Sequence, residues 1–347
     1  MSRLRIALKY LLHVLEVMLI LLSIYIIFNF KLFIYGLQQL KGQVSIVAKA
    51  KPIEAFFSDP DFPDSLKQKL KFIEEIKLFA IDSLGLKASK NYSTLYDQHG
   101  KPLLMNLTAA EPFKLEAYTW NFPLLGTVSY KGFFDFEKGQ AEADELRKKK
   151  YDVEYSPVSA WSTLGWFRDP VFSSMLKRNE GQLAELLIHE MTHATLYLKS
   201  SVDFNENLAS AVGEVGAEKF LKSKFGENAV ELQTYLDEQD DYNRFAKHML
   251  AGTVLLDSLY KAFENKNEET KAQFKKEMIT SITESLDTIP FHNMKYKTRF
   301  KKGDLPNNAY FMSFMRYDSQ KDEMKKVLNE KYKGDIGEYL KSLKNQQ

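Results

Sequence analysis

His189-Glu190-Met191-Thr192-His193 lies inside the apolar-periodic run Leu183 to Leu198, which reads as one helix. Residues four apart on a helix share a face, with β-carbons roughly 5–6 Å apart. Two imidazoles so placed can reach one zinc ion at about 2.0–2.1 Å. Glu190 stands beside the first imidazole and can act as general base toward a water at the metal. The pattern supplies two ligands and a base, and it lacks a third ligand. A coincidental polar trio is the bland alternative. Against it, Leu183, Leu186, Leu187, Ala194 and Tyr197 surround the pattern with apolar neighbours. Buried imidazoles and a carboxylate need partners, and a metal is one.

The next segment, Asp203-Phe204-Asn205-Glu206-Asn207-Leu208-Ala209, opens a second helix expected to run to about Phe225. Twelve residues lie between His193 and Glu206, enough for a tight loop and an antiparallel return. The first turn of the second helix can then face the histidine pair. Two His and one Glu leave a fourth zinc position for water, the catalytic rather than the structural arrangement. The same residues also fit a capping box, with Asp203 as N-cap and Glu206 as its N3 partner. The sequence does not separate ligand from cap. Ser210, one turn beyond Glu206, and Glu214, two turns beyond, are candidates to orient the imidazoles. Glu214 fits a solvated helix face equally well.

His189-Glu190-x-x-His193 followed by Asn205-Glu206 resembles the glutamate-type zinc metallopeptidases, the gluzincins. A wider resemblance is to the bacterial putative aminopeptidase family. It is carried by Lys41-Gly42-Gln43 running into Lys51-Pro52-Ile53, by Gly126 through Asp135, by Ser162 through Pro170 and by Glu185 through Gly216. Asn307-Asn308-Ala309 and Tyr317 are a weaker echo. The resemblance implies a zincin-like α+β fold and a single Zn2+ held by His189, His193 and Glu206. It implies Glu190 as catalytic base and a peptide as substrate, and it fixes the reaction class better than the substrate. Many members of that family begin with a lipoprotein-type signal and its acceptor cysteine, whereas this chain has no cysteine.

The 347 residues suit one large domain or two small ones. Hydrophobic content of 44% and charged content of 27% describe an ordinary folded protein. A net charge of +2 gives no electrostatic case for nucleic acid. Arg3, Arg5 and Lys9 precede an apolar stretch, and Val17 to Tyr35 approaches a bilayer span if Lys31 snorkels. The basic flank favours a cytoplasmic N-terminus, with the remaining domain on the outer side of a bacterial membrane. We therefore expect an uncleaved anchor over residues 1–36 and a zinc metallopeptidase domain over residues 37–347. A cleaved signal peptide and a buried apolar helix are the alternatives; no small-x-small cleavage site follows the stretch. The oligomeric state stays open.

Along the domain, helical periodicity from Leu37 to Leu86 is broken by Pro52, Pro60 and Pro63. Leu103 to Leu107, Phe113 to Trp120 and Thr127 to Phe134 read as strands, and Phe136 to Lys150 as a short charged helix. Further strands fall within Tyr151 to Phe167. The order predicts an α+β fold, with a mixed or antiparallel sheet over about residues 90–170, metal-site helices over 181–225 and a mainly helical part over 226–347. Val158 to Trp166 is the candidate edge strand for a substrate backbone, or else an ordinary interior strand.

The expected reaction is zinc-dependent peptide-bond hydrolysis, with aminopeptidase activity as the first reading. A membrane-tethered zinc endopeptidase and an inactive zinc-stabilised interaction module are the alternatives. The oxyanion needs a further donor; Tyr310, Tyr317, His292 and Tyr130 are the candidates. Glu154 and Glu185 are candidates for a substrate ammonium.

Overall fold

The computed structural model describes residues 3–122, 126–158, 168–199, 201–300 and 303–345. Two N-terminal helices come first, α1 (Arg3–Phe28) and α2 (Phe30–Lys49). Within α1, Leu8–Phe28 is long and apolar enough to cross a membrane. At about 1.5 Å per residue it matches a hydrocarbon core of about 30 Å. The apolar span thus begins and ends upstream of the limits of the Val17 to Tyr35 window expected from the sequence, sharing residues 17–28 with it. The reason is that α2 belongs to the folded part. Tyr35 Oη and Gln39 Nε2 both donate to the Gly132 carbonyl, at 2.9 and 3.0 Å. The boundary expected at residue 36 therefore falls inside a helix that the domain itself binds.

There follow β1 (Lys51–Pro52), α3 (Ile53–Phe57), α4 (Asp64–Asp82), β2 (Thr94–Tyr96), β3 (Met105–Ala110), β4 (Trp120–Phe122), β5 (Gly126–Val128) and β6 (Lys131–Phe133). Next come α5 (Phe136–Lys148), β7 (Asp152–Pro157), β8 (Val171–Phe172), α6 (Glu180–Thr195), α7 (Val202–Phe225) and α8 (Val230–Lys261). The chain ends with α9 (Glu268–Glu284), α10 (Lys295–Thr298), α11 (Asn308–Asp318), α12 (Lys321–Glu330) and α13 (Ile336–Lys344). The fold is α+β, as the element order predicts.

The sheets are small. β1 pairs antiparallel and β8 parallel with β2. β6 and β7 flank β3, both antiparallel, and β4 and β5 form a hairpin. The expected strand Phe113 to Trp120 does not form as such. β6 takes the edge of β3 over Met105–Leu107, so the segment contributes only the bridge Ala110–Ala117 before β4 begins at Trp120. Thr127 to Phe134 divides into β5 and β6 at Ser129-Tyr130. Of the candidate strand Val158 to Trp166, only Val158 is described, its amide donating to the Leu104 carbonyl; residues 159–167 lie outside the described residues.

Three apolar cores support this arrangement. The largest joins α4, α6 and α7 through Leu70, Ile73, Leu187, Ile188, Leu208 and Val212. A second binds α8, α9 and α11 through Met249, Leu256, Ile282 and Phe311. A third fills the space between the β3 sheet and α5 with Leu107, Phe133, Leu146 and Val153. Packing of α6 against α7 is unusually close because Gly213 and Gly216 present no side chain. A β-carbon at Gly213 would lie 3.1 Å from the Glu185 carbonyl oxygen and 3.3 Å from the His189 β-carbon. At Gly216 it would lie 2.8 Å from Ile188 Cγ2.

Candidate metal centre

Asn179 starts α6 by accepting a hydrogen bond from the Gln182 amide, with Glu180 favourably placed in the first turn. The helix then carries His189 and His193 on one face, their Nε2 atoms 3.1 Å apart. Helix α7 returns antiparallel and brings Glu206 Oε2 to 3.4 Å from His189 Nε2 and 3.5 Å from His193 Nε2. Donors each about 2.0–2.1 Å from one tetrahedral ion are separated by about 3.3–3.4 Å. The triangle is therefore close to one face of a zinc tetrahedron, and its chemistry, two imidazoles and one carboxylate, fits that ion. The capping-box alternative fails on position. Ser201 is the N-cap and α7 begins at Val202, so Asp203 lies within the first turn.

The neighbours of Glu206 fix its place, a role the sequence reading missed. Asn205 Nδ2 donates to the Leu198 carbonyl at 2.7 Å, and its Oδ1 accepts from the Leu198 amide at 2.8 Å. This side chain thus closes the α6–α7 loop as a strand partner would. Asn207 Nδ2 donates to the Arg316 carbonyl at 2.6 Å, and its Oδ1 accepts from the Gln320 amide at 2.8 Å. One asparagine ties Glu206 to α6 and the other ties it to the end of α11.

Electrostatics follow from burial. Burial pushes the Glu206 carboxyl up, but hydrogen bonds and charge from His189 and His193 bring it down to about 2. For His193, burial disfavours the charged ring, and the Glu206 carboxylate outweighs this to raise its pKa. Glu190 is raised, first by burial; the two histidines pull against this, and Glu206 and Asp169 add to it. Asp169 and Tyr92 thus sit in the surroundings of Glu190. The buried His193 Nδ1 finds no hydrogen-bond partner among the described residues.

Tyrosines stand near the triangle. Tyr317 and Tyr130, 38% and 39% exposed, both have pKa values raised, foremost by burial and also by the charge of Glu206. Tyr197 packs edge-on to His193, ring centroids 6.1 Å apart. The Arg316 guanidinium lies 5.8 Å from the Tyr130 ring and donates to Ser129 Oγ at 2.9 Å. Tyr197 lies just past the end of α6, in the segment that the sequence reading extends as helix to Leu198. No local signal marks Arg316 or Asp169, which reach the site from distant positions in the chain.

Other expected groups are placed elsewhere. Tyr310 packs edge-on against Phe300 and Phe314, with the Arg299 guanidinium over its ring. His292 pairs with Asp240 at 3.1 Å. Ser210 shares the Glu206 face of α7, but no hydrogen bond links it to either imidazole among the described residues. Glu214 is buried and paired with Lys321 at 2.6 Å and Lys325 at 2.5 Å rather than solvated or set against an imidazole. Glu185 lies beside it, accepting from Tyr235 Oη and Gln239 Nε2. Burial, with the charge of Glu214, pushes Glu185 up to about 7. Glu154 lies in the surroundings of Arg147 and Arg299, and its carboxyl is raised, mainly by burial.

A family model described as "Putative aminopeptidase" matches residues 34–347. The chain belongs to this putative aminopeptidase family. The match begins inside α2 and leaves α1 outside, the same division that the contacts of Tyr35 and Gln39 make. No curated protein and no solved structure matches the chain.

Proposed function

We propose that the protein is a zinc-dependent peptidase of zincin-like design that acts as an aminopeptidase on peptides. The observation that carries the reading is the triangle of His189 Nε2, His193 Nε2 and Glu206 Oε2, with edges of 3.1, 3.4 and 3.5 Å, beside a buried Glu190. These three side chains would hold the ion. Bound zinc supplies Lewis acidity, polarising a carbonyl and lowering the pKa of water toward about 7.

The chain's own residues do the rest. Glu190, raised by its burial, takes a proton from the attacking water and hands it to the leaving amine. Tyr317 and Tyr130 keep their phenolic protons at neutral pH and can donate them in hydrogen bonds to a developing oxyanion. Arg316 adds positive charge near Tyr317 and Tyr130. Helix α1 would hold this domain at a bacterial membrane, on its extracytoplasmic side, as the basic N-terminal flank favours.

The experiment is metal analysis together with hydrolysis of a peptide library by wild type and Glu190→Gln. Zinc in both proteins, with cleavage by the wild type only, supports the reading. Equal behaviour of the two proteins sinks it. Comparison of free and N-acetylated peptides then separates aminopeptidase from endopeptidase, since only the former requires a free amine.

A further inference from the structure

Helix α2 has two faces with different partners. One face meets the domain through Tyr35, Gln39, Gly42 and Ile46. The other carries Phe30, Phe33, Leu37, Leu40, Val44 and Val47, all 40–59% exposed. Their spacing is 3-4-3-4-3, the a/d repeat of a helix that winds on another helix. Helix α1 differs: its apolar residues face every direction, as lipid requires. The change from an all-round apolar surface to a narrow seam falls at Asn29.

We propose that this seam is the contact between two copies of the chain, with their α2 helices side by side and parallel. Three observations favour a second helix over a lipid surface as the occupant. First, the hydrogen-bond ladder crosses the joint: the Asn29 amide donates to Tyr25 O at 3.0 Å, and the Phe33 amide donates to Asn29 O at 2.9 Å. Helix α2 therefore continues away from the span instead of folding back along the bilayer. Second, Lys31, Gln38, Lys41 and Ser45 alternate with the seam, so its apolar face is one helix wide. Third, a parallel pairing brings no like charges together, because Gly36 would oppose Lys41 of the second copy and Gln43, at the next such position, is buried against the domain. The seam is about 27 Å long at about 1.5 Å per residue, which is short for two soluble chains. Two copies inserted in one membrane in the same sense have the high effective concentration that such a seam needs.

The absence of native cysteine makes the test direct. Single cysteines are placed in the full-length protein at Leu37, Leu40 or Val44 on the seam and at Gln38 or Ser45 off it. Native membranes are then oxidised mildly. Disulfide-linked homodimers from the seam positions, at least tenfold above those from 38 and 45, are the expected result. Equal or absent cross-linking at both sets overturns the proposal. Fluorophores attached to the seam cysteines and quenched by a lipid-dissolved nitroxide also overturn it, because lipid then covers the stripe. So do seam cysteines shielded from a water-soluble maleimide without self-cross-linking, because another protein then covers it.

Discussion

Among the described residues, two clusters bring imidazole and carboxylate groups close enough to share an ion: His189, His193 and Glu206 between α6 and α7, and Asp240 and Asp241 of α8 with His292. They differ in what their oxygens already do. Asp241 accepts from the amides of His292 and Asn293, at 2.6 and 2.7 Å, and so pins a loop to α8. Asp240 accepts from Arg244 Nε at 2.7 Å. In the first cluster the three donor atoms face one another. Occupancy of lone pairs, more than mere proximity, distinguishes a seat for a cation from a structural knot.

The largest expected effect is that of Glu190→Gln, a loss of peptide cleavage by about 10²–10⁴-fold or more with zinc retained; turnover and metal content are measured on the same sample. Glu206→Ala comes next. It should empty the first cluster of zinc, whereas Asp240→Ala and His292→Ala should leave metal stoichiometry unchanged, and bound zinc lost from the second pair of variants would reverse the comparison. Asn205→Ala removes the loop closure and leaves the Leu198 amide and carbonyl unpaired. Its expected cost is about 1–3 kcal/mol for each group left unsatisfied, read from denaturant midpoints. Asp241→Ala should cost about 1–3 kcal/mol on the same grounds, yet hold wild-type zinc. The smallest effect is that of Asp240→Asn. The Arg244 hydrogen bond lowers the Asp240 pKa, so its contribution is present above the unfolded value and fades as pH falls through the folded one. The group is 41% exposed, so screening holds the effect to about 0.5 kcal/mol at neutral pH. Wild type and variant should converge in acid, as thermal melts across pH 2–6 would reveal.

Legibility in the sequence tracked the range of the interactions. The α6 pattern and the return of α7 to Phe225 were readable, because helical period and loop length are local properties. The charged helix α5 was readable for the same reason, capped by Asp135 where its pattern begins. Strand limits were not, since the fate of Phe113 to Trp120 depends on which strand first takes the edge of β3. The surroundings of the site divided in the same way. Tyr317 and Tyr130 approach Glu206, while Tyr310 and His292 are drawn off by Arg299 and Asp240. Proximity in a fold of this kind is decided by partners outside the local helical or strand period, and a single sequence does not display those pairings.

Gly213 carries a consequence for anyone hunting mutants. Alanine in a helix interior is ordinarily favoured over glycine by about 0.5–1 kcal/mol. Here a methyl group would already lie 3.1 Å from the Glu185 carbonyl oxygen and 3.3 Å from the His189 β-carbon, and anything larger would lever the hairpin open from behind. A screen for inactive variants would therefore return position 213 beside the acid and the imidazoles. Such hits would tempt the reader to count another chemical participant, when what they mark is a distance.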